Sequence, residues 1–363
     1  MKILTIFGTR PEIIRLSLII KLLDGHCEHL AVHTGQNFHP LLSDVFFEQL
    51  GLRRPDIELG IESPDFGEQA GLIISKTDAL LRKHRPDRLL ILGDTNSGLA
   101  AIPAARLGIP VFHLEAGNRC FDDRVPEEIN RRIIDHCSTI LMPYTERSRG
   151  NLLAEGIDKN RIFVTGNPIF EVLQCFAGDI ESCDVLRNLG LKPRDYFLVT
   201  AHRSENVDDP VRLRMIFEAL ERAAAEYSRP VLVSLHPRTA EKISTFGIEC
   251  SKDKIRLLDP FGFFEFVNLE KNAFAVLSDS GTVQEECSIL RVPNITIRDV
   301  TERPETIECG SNIISGVDPE SVLRAIKIAV SRPPAWSPPP EYVVPNVAET
   351  VCRILLGHIE IPR

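Results

Sequence analysis

The first twelve residues, MKILTIFGTRPE at positions 1–12, decide how the chain is read. Ile3 to Phe7 is a strand-length apolar run, and it stops at Gly8, Thr9 and Arg10, with Pro11 placed to open a helix. A strand that turns directly into a helix begins a β-then-α chain, and the same rhythm continues. Ile3 to Phe7, His29 to His33, Leu89 to Leu92, Val111 to Leu114, Ile140 to Met142 and Ile162 to Val164 read as strands, with helical patterns such as Phe66 to Leu81 and Glu127 to Cys137 between them.

The rhythm restarts at Tyr196 to Thr200, Val231 to Ser234, Ile255 to Leu258, Ala273 to Leu277 and Asn294 to Ile297. Helices such as Val211 to Tyr227 and Val283 to Ile289 separate these strands. The expectation is an α/β chain of two Rossmann-like domains facing a central cleft. The first spans 1–167 and the second 168–340. Beyond the Pro-rich stretch Pro333 to Pro340, a terminal segment, 341–363, carries a helix at Val347 to Leu356 that can cross back onto the first domain. At 363 residues the chain has room for two such domains.

Composition narrows the function classes. Lys and Arg total 42 against 51 Asp and Glu, a formal charge of -9, which argues against a phosphate-tracking nucleic-acid groove. The nine cysteines are scattered and contain no CxxC pair, which fits reduced core thiols in a cytoplasmic protein better than a disulfide frame or a zinc site. No stretch approaches the roughly 18 apolar residues of a membrane span, so no membrane partner is expected.

The residues able to carry chemistry fall at strand ends, the ligand side of an open α/β sheet. Arg10 follows the first strand, and the turn there is not a GxGxxG, so no dinucleotide is implied. Asp94 in GDTNS, Glu115 in HLEAG and Glu127 in PEEINRR are three acids at strand or helix ends. Gathered in a partly dry cleft they would repel one another and gain raised pKa values, which suits proton transfer to or from carbon. Ordinary structural roles compete: Asp94 as an N-cap, Glu127 on a helix dipole, Glu128 paired with Arg131 or Arg132.

The second half offers His202 in AHRSEN and His236 in LHPRT, each followed by an arginine or a proline and arginine, as phosphate ligands. Ser280, Gly281 and Thr282 in SDSGTVQEE can seat a pyrophosphate on a helix N-terminus, with Glu286 placed for ribose hydroxyls. Phe261, in the segment LDPFGFF, offers apolar surface for a uracil, with core packing as the plainer role. Arg303 in TERPE can reach phosphates, with solvated loop charge as its alternative.

Together these segments resemble the non-hydrolysing UDP-N-acetylglucosamine 2-epimerase family. The resemblance rests on GTRPE at 8–12, TGQN at 34–37, GDTNS at 93–97, HLEAG at 113–117, PEEINRR at 126–132, AHRSEN at 201–206, SDSGTVQEE at 278–286 and TERPE at 301–305, in family order. It implies a glycosyltransferase-B-like architecture, a UDP-sugar substrate, a homodimer, and neither nicotinamide nor metal as cofactor. It also implies that Asp94, Glu115, Glu127 and His202 form the catalytic group, with Arg10, His236, Ser280, Gly281, Thr282 and Glu286 on UDP. Arg15 stands where the family commonly has lysine and keeps the charge for substrate binding. Asn37 replaces a histidine associated with an allosteric second UDP-sugar. The short segment EAGNRCFDDRVPEE at 115–128 looks like that of enzymes forming UDP-N-acetyl-L-fucosamine.

The implied activity converts UDP-N-acetylglucosamine to UDP-N-acetylmannosamine. C2 epimerisation of UDP-2-acetamido-2,6-dideoxy-L-talose is the alternative substrate reading. A two-domain glycosyltransferase, a hydrolysing epimerase and a UDP-sugar-binding regulator are the alternatives in kind.

Overall fold

The computed structural model describes residues 1–35, 40–63 and 65–358. The TGQN segment therefore runs out of the described residues at Gln36, and Asn37 lies outside them. The chain divides into two compact units, one of Met1–Cys175 with the segment from Glu341 onward, the other of Phe176–Pro340.

The first unit holds a six-stranded parallel sheet: β1 (Lys2–Phe7), β2 (Glu28–His33), β3 (Ile57–Glu58), β4 (Arg88–Leu92), β5 (Val111–Leu114) and β6 (Ile140–Met142), in the order β3-β2-β1-β4-β5-β6. The second unit holds β7 (Phe197–Thr200), β8 (Val231–Ser234), β9 (Ile255–Leu258), β10 (Ala275–Ser278), β11 (Asn294–Thr296) and β12 (Asn312–Ile314), in the order β12-β11-β10-β7-β8-β9. Counted from the first strand of each unit, both orders are the doubly wound 3-2-1-4-5-6 of a Rossmann sheet. Each therefore reverses direction beside its first strand, between β1 and β4 and between β7 and β10. These two switch points are where ligand-binding loops of such sheets open.

Burial explains why these strands are parallel. In the second unit Phe197 and Val199 point into one core with Leu213, Val231 and Ile326, while Tyr196 and Leu198 point into another with Leu232, Val276 and Val283. A strand buried on both faces needs helices on both sides, and crossover helices supply them. In the first unit the helix Arg10–His26 buries Ile13, Leu16, Ile19, Ile20 and Leu23. Among the described residues no helix is long and apolar enough to cross a membrane.

Three local expectations need correction. Ile162 to Val164 is not a strand, since Ile162 makes only an isolated bridge to Leu141. The changeover falls after Cys175 rather than at 167, because the helix Ile169–Cys175 packs on the helix Arg10–His26. Glu171 on that short helix accepts the backbone N–H of Ala348 at 2.9 Å, tying it to the helix Val347–Leu356. Two short edge strands, β3 and β12, also stand where none was expected.

The helix Val347–Leu356 belongs to the first unit. It buries Val347, Val351, Cys352 and Leu355 and packs on the helix Arg10–His26. The Arg88 guanidinium donates to the Leu355 carbonyl, closing the last turn against β4.

Candidate functional site

The chemistry-bearing residues of the first unit stand where β1, β4 and β5 end. Gly93 and Asp94 follow β4, and Glu115 follows β5, the neighbouring strand, with its φ at 70° in the left-handed region. A side chain in that conformation is held there against its own preference. Gly117, two residues on, has φ 78°, and a Cβ there would meet the Ser148 carbonyl at 2.3 Å, so this turn admits only glycine. A Cβ built on Gly93 would lie 3.7 Å from Glu115 Oε1, which places the Glu115 carboxylate beside the turn that carries Asp94.

Arginines answer the charge of these acids. Asp94 Oδ2 accepts from Arg131 Nε at 2.9 Å and lies 2.7 Å from Arg131 Nη2. Glu115 Oε2 lies 3.6 Å from Nη1 of Arg15, which is buried on the helix Arg10–His26. The mutual repulsion expected of gathered carboxylates is thus offset at Asp94 and Glu115. Asp94 is not an N-cap: Thr95 holds that position for the turn Asn96–Ala100. Asn130 secures the segment by donating to the Asp94 carbonyl and to Asn96 Oδ1, both at 3.0 Å.

Glu127 and Glu128 lie side by side in the first turn of the helix Pro126–Cys137, where the helix dipole favours negative charge, yet they are differently placed. Glu128 is buried and accepts from Arg131 Nη1 at 2.7 Å and from the backbone N–H groups of Cys120 and Phe121 at 3.0 and 3.1 Å. The Arg131 pairing is the structural role expected of it, and the bonds to Cys120 and Phe121 also make it a brace for the loop after Glu115. Glu127 is half-buried, on the same turn as that brace. Arg10 stacks over the Phe46 ring, 5.6 Å from its centroid.

Glu12 escaped the sequence reading, although Thr9-x-x-Glu12 fits the capping-box signature. Its Oε2 accepts from the N–H groups of Gly8 and Thr9 at 3.1 and 2.8 Å, and Thr95 Oγ1 donates to Oε1 at 3.3 Å, joining the β1 and β4 loops. Burial raises its pKa to about 7, against the lowering effect of those donors. The folded chain then binds this proton more tightly than the unfolded chain, whose value is 4.5. Stability therefore falls as pH rises from about 4.5 to about 7, by about 3 kcal/mol. Glu12→Gln keeps an acceptor oxygen, and urea titrations across that window should show its slope flattened; an unchanged slope would place the proton elsewhere.

In the second unit Asp279, fully buried after β10, organises the loop after β7. It accepts from the backbone N–H of His202 at 3.0 and 3.1 Å, of Arg203 at 3.0 Å, and from Asn206 Nδ2 at 3.1 Å, and His202 Nδ1 lies 3.5 Å from it. Asp279 was missed because its partners are 73 to 77 residues away. His202 and His236 have ring centroids 5.8 Å apart. His236 caps the helix Pro237–Thr245, its Nδ1 accepting from Arg238 N at 3.3 Å, which leaves the ring proton on Nε2.

Ser280 is the N-cap of the helix Gly281–Leu290, with Gly281 and Thr282 in its first turn, where N–H groups lack a partner four residues back. A Cβ on Gly281 would come within 2.5 Å of Glu302 Oε1, so glycine is what lets the 302 loop close on this helix end. Glu302 in turn pairs with Arg298 Nη1 at 2.9 Å on the same loop, and Arg298 Nε donates to Glu205 at 3.2 Å, joining the loops after β11 and β7. Glu286 is buried on the same helix. Arg303 is not a solvated loop charge; it is buried and its Nε donates to Glu285. Phe261 is half-buried and packs against the core cluster that includes Val276.

Comparison with known proteins follows these lines. A family model described as UDP-N-acetylglucosamine 2-epimerase matches residues 22–356. The UDP-N-acetylglucosamine 2-epimerase of Methanocaldococcus jannaschii is 43% identical over 347 residues, covering 93% of this chain and 95% of that one. The UDP-2,3-diacetamido-2,3-dideoxy-D-glucuronate 2-epimerase of Pseudomonas aeruginosa is 38% identical over 338 residues, covering 92% and 93%. A crystal structure of the M. jannaschii enzyme in complex with UDP-GlcNAc and UDP matches with a TM-score of 0.94 at 41% identity, over 98% of this chain and 99% of that one. With a family model matched over residues 22–356 and relatives covered nearly end to end at these identities, the chain belongs to the UDP-N-acetylglucosamine 2-epimerase family.

Proposed function

We propose that this chain inverts C2 of UDP-N-acetylglucosamine, giving UDP-N-acetylmannosamine without hydrolysis. The observation that carries the reading is the pair of acids Asp94 and Glu115 on adjacent strand ends, each set against a buried arginine, in a chain whose relatives are named as C2 epimerases of UDP-sugars. C2 of such a sugar has no adjacent carbonyl to stabilise a carbanion. Departure of UDP from C1 supplies the driving force: the C1–O bond breaks with its electrons leaving on UDP, a carboxylate takes the C2 proton, and the remaining pair forms the C1–C2 double bond of a 2-acetamidoglucal.

Protonation at C2 from the opposite face, with re-addition of the UDP oxygen at C1, completes the inversion. Two proton-transfer groups are required, and we assign them among Asp94, Glu115 and Glu127. The second unit holds the nucleotide: Ser280, Gly281 and Thr282 receive the diphosphate on helix N–H groups, Glu286 takes the ribose hydroxyls, and His202 and His236 stabilise charge on the leaving UDP; Arg10 and Arg15 of the first unit are further cations we assign to substrate binding. Phe261 supports the base, and Arg303 holds the helix that seats the diphosphate. The nine unpaired cysteines support a cytoplasmic setting, and the reading extends to a homodimer, which sedimentation velocity checks.

Purified protein incubated with UDP-N-acetylglucosamine in D2O should give product carrying deuterium at C2, and long incubation should release UDP and 2-acetamidoglucal. Epimerised product that keeps its original hydrogen at C2 would rule out elimination and re-addition. Turnover confined to a 2,3-diacetamido-glucuronate or 6-deoxy-talosamine nucleotide would keep the chemistry and change the hexose.

A further inference from the structure

His113, on β5, is 1% exposed, and both of its ring nitrogens have partners. Nδ1 lies 2.8 Å from Asp135 Oδ1, and Nε2 lies 2.9 Å from the Gly93 carbonyl oxygen. A backbone carbonyl can only accept. Asp135 accepts as well: the buried Arg119 guanidinium 2.8 Å from its Oδ2 and the Gly117 N–H at 3.1 Å favour an ionised carboxylate whatever the state of the ring. A neutral imidazole has one donor and one acceptor nitrogen, so it would set a lone pair against one of these oxygens inside a dry interior. The imidazolium donates to both.

Asp135 also meets a second cation: its Oδ2 lies 2.8 Å from Arg119 Nη2, and Arg119 in turn holds the partly exposed Glu155 at 2.7 Å. Glu155 also lies 3.5 Å from His136, whose side chain is half exposed at the rim. The same sheet contains a contrasting case. His29 Nδ1 lies 2.6 Å from Asp24 Oδ1, but its Nε2 faces Thr5 Oγ1 at 2.8 Å, a hydroxyl that can donate. A neutral ring satisfies both of those partners, and burial lowers the His29 pKa.

We propose that its two acceptors hold His113 as an imidazolium donating from both nitrogens, and that it is a positioning residue for the proton-transfer acids. Through Nε2 it grips the turn after β4, one residue before Asp94. Through Asp135, whose Oδ2 also accepts the Gly117 N–H at 3.1 Å, it grips the turn after β5, two residues beyond Glu115. One ion pair thereby sets the spacing of the two loops that carry Asp94 and Glu115. The effect on turnover rests on the epimerase reading above; the protonation state does not.

The test is nitrogen NMR of the wild-type full chain labelled in histidine, near neutral pH. His113 should show both ring nitrogens protonated while His29, in the same spectrum, shows one. Signals are assigned by their loss in His113→Gln, or by through-bond correlations in the wild type if that variant does not fold. His113→Gln offers a single donor group and should lower kcat by about 10²-fold with UDP affinity unchanged, the scale of an ångström-sized misplacement of reacting groups. A singly protonated His113, or a folded His113→Gln with full kcat, overturns the proposal. A wild-type protein with the expected spectrum but no epimerase turnover overturns the functional reading instead.

Discussion

Asp94→Asn, Glu115→Gln and Glu127→Gln should each lower turnover by about 10²–10⁴, the range that positioned acids and bases contribute, while UDP affinity stays close to that of the parent. The substitutions are nearly isosteric, and none removes a residue assigned to the nucleotide. Asn at 94 still offers a carbonyl oxygen to Arg131, which keeps its bond to Glu128 in any case. Were the acids only helix partners, melting temperature would shift by the equivalent of about 1 kcal/mol and turnover would survive. Turnover and melting temperature measured on each variant separate the two roles, and three variants with near-normal turnover would end the catalytic assignment.

Replacing Arg131 by methionine should cost about 3–5 kcal/mol of stability, the scale for removing one partner of a buried ion pair. Arg131 is 2% exposed and serves Glu128, 1% exposed, together with Asp94. Without it the Glu128 carboxylate stays buried with only two backbone N–H groups and the Cys120 thiol to satisfy it. Arg131→Met combined with Glu128→Gln should recover part of the loss, because the uncompensated charge is gone even though the bond is not restored. Denaturant titrations of the parent, both single variants and the double variant measure this coupling. A loss below about 1 kcal/mol in Arg131→Met would mean that water or another cation compensates Glu128.

The strand–turn–helix rhythm was legible because the central parallel strands are short apolar runs buried on both faces, as in Ile3 to Phe7 and Val231 to Ser234. What escaped was too short or too dependent on partners. Ile57–Glu58 is a two-residue edge strand whose hydrophobic content is indistinguishable from loop, and Ile162 has the composition of a strand but pairs at a single position. The candidate site was legible as residue types at strand ends, since Gly93, Glu115 and Ser280 each follow a readable strand. Its electrostatics were not. Arg131 reads as a helical neighbour of Glu128, and nothing in its spacing shows that it also reaches Asp94, 37 residues earlier. Glu12 could have been found from Thr9-x-x-Glu12, but the bond it accepts from Thr95 reaches it from 83 residues away.

The return of the helix Val347–Leu356 to the first unit orders events on the ribosome. The face of the helix Arg10–His26 that it covers is made early, and its cover is translated only after the whole of Phe176–Pro340 has been added. At about 5–20 residues per second that interval is on the order of 10 s. During synthesis the second unit can therefore close while the first still shows an apolar stripe to solvent. Until its last helix is made, a nascent chain of this design is open to association through its N-terminal end, and a premature stop anywhere before Val347 leaves that stripe uncovered.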